Sequence, residues 1–161
     1  MHSAPPKPAP PLSESAIRAA LRDCYDPELP CNIVDLGLVY GVSLAPDPDA
    51  PGAGIPGVPT RHRIHIRMTL TTPGCPAHAQ IVTQIQNRLS AFEAVSHTED
   101  NLVWQPAWTP ERITSEGRKL LGIDESLSDW HAAARRARAT ASAAKYRDLV
   151  QIQSIPQQRT L

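Results

Sequence analysis

The chain has 161 residues, 41% of them hydrophobic, which suits one modest domain rather than several. Sixteen Lys and Arg balance sixteen Asp and Glu, so no overall field draws the chain onto nucleic acid or an anionic membrane. No stretch approaches the roughly 18 apolar residues of a membrane-spanning helix, and the opening MHSAPPKPAPP lacks the apolar middle of a secretory signal, which predicts a cytoplasmic location.

Residues 1–12 are proline-rich and offer little to bury, so they read as a disordered leader. Ser13 is a fitting N-cap for a first helix that lines Ile17, Ala20, Leu21 and Cys24 on one face and stops before Pro27. A turn-rich connection leads to a strand in which Leu38, Tyr40, Val42 and Leu44 alternate with Val39, Gly41 and Ser43. Residues 45–60, APDPDAPGAGIPGVPT, are so rich in proline and glycine that they read as a mobile surface insertion. The next strand, RHRIHIRMTL, sets His62, Ile64, Ile66, Met68 and Leu70 against a basic face of Arg61, Arg63, His65 and Arg67. After TTPGCP a helix from Ala77 carries Ile81, Val82, Ile85 and Leu89. A third strand is expected over Val95–Trp104, followed by a helix capped by Thr109, with Pro110 in its first turn, ending near Gly122.

That order predicts an α+β fold: a small two-layer sandwich with a mixed three-stranded sheet and helices on one face, spanning 13–122. Residues 123–161 are Ala- and Arg-rich, with Leu127, Trp130, Ala134 and Ala137 at helical spacing, and predict a helical extension.

The chain has three cysteines, an odd number without the dense spacing of a disulfide scaffold, so reduced thiols are expected. Cys24 belongs to the helix stripe and reads as core; Cys31 lies in a loop and is open to either reading. Cys75 stands where a strand, a Pro73-Gly74 bend and a helix start meet, and a helix N-terminus favours the thiolate that nucleophiles and metal ligands require. Thr71 and Thr72 could donate hydrogen bonds to that sulfur or to a metal-bound group, and Gly74 would admit close backbone approach. Asp26, Glu28 and Asp35 gather three carboxylates in a proline-stiffened loop, a pattern that serves metals and bases but also closes turns and caps helices.

Taken together, DPELPCNIVDLGLVY, MTLTTPGCP and VWQPAWTPERITSEGRKLLG resemble the SufT and PaaD-like domain family of iron-sulfur (metal-sulfur) cluster assembly factors, over about Ser13 to Gly122. The resemblance implies the iron-sulfur cluster assembly fold and makes Cys75 the functional thiol. It implies that Asp26, Glu28, Asp35, Gly37, Thr69 and Thr71 line the pocket of that thiol, and that WQPAW is a packing landmark. Cys31 replaces a usually aliphatic residue, which is either neutral or offers a second thiol near the site. The lack of cysteines after Cys75 points to the general assembly branch rather than to PaaD proteins serving ring oxygenases.

The function expected is maturation: Cys75 transiently ligates iron or a cluster, or contacts a partner that carries one, and hands it to apo client proteins alongside other assembly proteins. Clusters draw on about four thiolates. Three in this chain would leave the rest to a homodimer, a partner or a small thiol. The alternatives are a thiol enzyme with Cys75 as nucleophile and a cysteine-independent adaptor. His65 and His78 read as surface or capping residues, and no aromatic platform interleaves the arginines, which sets nucleic acid aside.

Overall fold

The computed structural model describes residues 11–123; the expectations for residues 1–10 and 124–161 lie outside the described residues. The first helix, α1, spans Glu14–Leu21, with Ser13 Oγ accepting from the Ala16 amide as the N-cap. It is shorter than the sequence pattern suggested and ends before Cys24, yet Cys24 remains core at 1% exposure because its N–H continues to the Leu21 carbonyl at 3.1 Å. Leu12, assigned to the leader, is half-buried against the core.

Strands β1 (Val39–Pro46) and β2 (His62–Met68) are antiparallel, and β2 is parallel to β3 (Val95–Leu102), giving the order β1-β2-β3. Parallel neighbours need a crossover, and α2 (Ala77–Leu89) supplies it between β2 and β3. Helix α1 packs on β1 and α2, and α2 packs on β3, so the two cover one sheet face around Ile64, Ile66, Met68, Ile81, Ile85 and Leu89. The expected mixed sheet with helices on one face is thus the fold observed.

Three local departures have physical causes. A bulge between Val39 and Gly41 leaves Tyr40 without a partner in the β2 register, so Tyr40 falls out of the alternation that grouped it with Leu38 and Val42. The segment after β1 is not all insertion, because Ala45 and Pro46 are strand; beyond them runs a chain of tight turns, and the buried Asp47 and the exposed Asp49 both grip Arg63, at 2.9 and 2.6 Å. The helix expected from Thr109 to Gly122 is two pieces. Pro110–Arg112 form a single 3₁₀ turn, Ile113 is extended, and α3 spans Ser115–Leu121 with Thr114 as a second N-cap and Gly122 as a left-handed C-cap.

Candidate functional site

Cys75 precedes α2 by two residues. Gly74, at φ 75°, makes the bend, and Pro76 is the N-cap rather than a first-turn residue. Because proline brings no capping side chain, the first-turn amides of α2 have no side-chain acceptor of their own. The Cys75 carbonyl accepts from the His78 amide at 3.5 Å, and its side chain packs on the core edge while staying partly exposed. Thr71 is half-buried and Thr72 and Gly74 are exposed; among the described residues neither threonine hydrogen-bonds the sulfur. Thr69 lies just past β2, fully buried, its amide bonded to the Leu38 carbonyl at 2.9 Å and its hydroxyl without a partner among the described residues. Such a hydroxyl costs stability unless something else meets it.

In the acidic loop, turn closure and capping are the roles the carboxylates fill. Asp26 is buried and accepts from the Glu28 and Leu29 amides at 2.7 and 3.0 Å, closing a turn around itself, while Glu28 is exposed. Asp35 is buried and binds Asn32 Nδ2 at 2.7 Å and the Thr114 hydroxyl at 2.9 Å, with Arg22 Nε at 3.7 Å, so it joins the loop to the cap of α3. Gly37, at φ 74°, lets the Arg112 backbone press against it, where a Cβ would collide with the Arg112 carbonyl. Thr114 and Arg22 were not legible as partners, since they are 79 and 13 residues from Asp35 and only the fold unites them.

Asp35 and Asp26 bear on Cys31. Cys31 is fully buried, and its thiol is pushed up from 9.0 to about 12, chiefly by burial and then by Asp35 and Asp26, against a smaller lowering by the Asn32 backbone. Cys24 is likewise raised to about 12 by burial and Asp23, with Arg88 opposing. Cys75 is therefore the one thiol presented to solvent. No group of three His, Cys, Asp or Glu side chains among the described residues is arranged to hold a metal ion. His78 Nε2 lies 3.2 Å from Asp100 Oδ2, a hydrogen bond that sequence reasoning missed because parallel pairing alone brings Asp100, opposite Ile66, under α2. His65 sits exposed beside Glu99 at 3.0 Å, in keeping with a surface reading.

No helix among the described residues is long and apolar enough to cross a membrane. Residues 14–50 match the profile of the family described as iron-sulfur cluster assembly protein. The chain is 37% identical to the Fe-S protein maturation auxiliary factor YitW of Bacillus subtilis, over 66% of this chain and 91% of that protein. It is also 37% identical to the Fe-S protein maturation auxiliary factor SufT of Staphylococcus aureus, over 61% and 96% of the two chains. Among solved structures it is similar to a DUF59 domain from Bacillus anthracis, at 35% identity and TM-score 0.55 over 69% and 92% of the chains. A conserved hypothetical protein from Thermotoga maritima follows at 28% identity and TM-score 0.53, over 70% and 96%. With the expected fold in place and relatives matched over nearly their whole length, this chain belongs to the iron-sulfur cluster assembly protein family.

Proposed function

We propose that this chain is an Fe-S protein maturation auxiliary factor, as its relatives are named, and that Cys75 is the thiol through which it meets iron-sulfur cargo. The observation that carries the thiol assignment is exposure: Cys24 and Cys31 are sealed and held protonated, whereas Cys75 reaches solvent before an N-terminus that no side chain caps. Free amides and the positive helix end favour an anion there, as thiolate or as a cargo ligand. The orphan Thr69 hydroxyl, six residues upstream, is as fully buried as Cys31, so cargo would meet it only through local opening of the fold.

One reachable thiol cannot complete the ligand set of a cluster, which commonly needs about four. The cargo then takes its remaining ligands from an assembly partner, a client protein, a second copy of this chain or a small thiol. An incomplete set favours release, which is what handover requires. Asp26 and Asp35 serve to shape their loop rather than to ligate, given the turn and cap bonds their carboxylates already accept.

The test is anaerobic maturation of an apo iron-sulfur client by the full chain. Cys75→Ser is expected to slow client activation by about tenfold or more, since losing even an outer partner of a metal ligand costs roughly that much. Cys31→Ala is expected to keep the wild-type rate. A Cys75→Ser chain that matures the client normally would overturn the thiol assignment and leave an adaptor; reaction of an iron-free Cys75 with a thioester would favour an enzyme.

A further inference from the structure

Eight arginines lie between Arg18 and Arg118, and six are engaged by other groups. Arg18, Arg22, Arg63 and Arg88 face Glu14, Asp35, Asp47 with Asp49, and Asp23. Arg61 donates to the Glu93 and Val95 carbonyls, and Arg118 to the Glu111 carbonyl. Arg67 and Arg112 alone of the eight have no anionic or carbonyl partner among the described residues, and both line one exposed pocket of about 330 Å³ with Gly37, Val39, Tyr40 and Pro106.

The pocket is built rather than incidental. The β1 bulge turns Tyr40 out of the strand register; its hydroxyl donates to the Pro106 carbonyl at 2.8 Å, and the Arg112 guanidinium stacks over its ring at 4.6 Å. Stacking fixes the plane of that guanidinium and leaves its N–H edge free. Arg67 rises from β2 opposite Gly41, whose missing side chain lets Arg67 Nε lie 3.9 Å from where a Cβ would stand. Nearby carboxylates do not compete: Glu99 is taken by His65 and His97, Asp100 by His78 and Asp35 by Asn32 and Thr114.

We infer that this pocket is a docking site for a carboxylate on an acidic, extended segment of a protein partner. Two guanidinium forks suit a planar, bidentate carboxylate. Guanidinium forks also pair with phosphate, but the Gly37, Leu38 and Arg112 amides are spent on Val34, Ile33 and Thr109 carbonyls and so do not add the backbone donors of a phosphate cradle. The apolar flank of Val39 and Pro106 suits the neighbouring side chains of such a segment. Arg67, Arg112 and Tyr40 lie outside the residues assigned to the Cys75 site, so this inference stands or falls apart from it.

The experiment titrates the ¹⁵N-labelled full chain with a short peptide alternating Asp and Leu, acetylated and amidated, against its Asn counterpart and against inorganic phosphate. Saturable shifts are expected at the Arg67 and Arg112 Nε–H signals and at the Gly37 and Gly41 amides, with the Asn peptide weaker by about tenfold. Arg67→Gln and Arg112→Gln should each weaken the Asp peptide by a similar factor, while Arg88→Gln, of equal charge change, should not. Should Arg112→Gln disturb the fold, Arg67→Gln decides alone, because Arg67 is exposed on β2. Equal binding of the two peptides, an unaffected Arg67→Gln, or phosphate competing as well as the Asp peptide would each overturn the assignment.

Discussion

At the scale of single residues, three chemically identical thiols are separated by where the chain puts them. Burial holds Cys24 and Cys31 protonated up to about 12, far above the ordinary 9.0. The folded state thus keeps these protons more tightly than the unfolded chain does. The resulting stability is fully present below about pH 9 and is lost as pH rises towards 12. The urea midpoint should accordingly fall between pH 9 and 11, and a thiol reagent at pH 7.5 should label one cysteine per native chain and all three after unfolding. Thr69 offers a second discrimination. Replacing it by the isosteric valine removes an unmet hydroxyl and should raise unfolding stability by about 1 kcal/mol if the role is only structural. If cargo is what meets the hydroxyl, client maturation should fall although the protein is more stable. Cys75 and the Cys24 core position were readable from local pattern, because helix stripes and turn chemistry are local. The fate of Cys31 was not, since it depends on Asp35 and on burial under elements distant in sequence.

Among the elements, the joint between the 32–37 turn and the 109–117 segment is where sequence and structure part company. The pattern gave one helix from Thr109, but Asp35 recruits both the Thr114 hydroxyl and the Thr114 amide, the latter at 2.9 Å through its carbonyl, and so the helix restarts there. Gly117 packs on the Asp35 carbonyl in the same joint, where a Cβ would stand 2.6 Å from it. Gly37→Ala should destabilise the fold by about 2 kcal/mol or more in chemical denaturation, from the positive φ and the collision with Arg112 combined. The strands and α2 were legible because their periods of two and 3.6 are strong, whereas caps formed across long separations and a one-residue bulge leave no periodic trace. That is why Tyr40 was grouped with core neighbours and the pocket it anchors was not foreseen.

For the whole molecule, the contiguous core among the described residues runs from Leu12 to Ile123, and Gly122 closes α3 while the Ile123 amide bonds back to the Arg118 carbonyl at 3.0 Å. A chain trimmed to residues 11–123 should therefore still unfold in one cooperative transition by circular dichroism; a broad, sloping melt would show that the core needs more of the chain. The hairpin joining β1 and β2 adds a practical corollary. Its base is riveted by Arg63 to Asp47 and Asp49, while Gly54 and Gly57 at its far end have nothing within 4 Å of an added side chain. Lengthening a loop costs only about 0.6 kcal/mol per doubling once its base is fixed. A fluorescent reporter or affinity handle spliced between Gly54 and Gly57 would hang from the sheet's end without loosening it, a ready grip for following the protein through successive encounters.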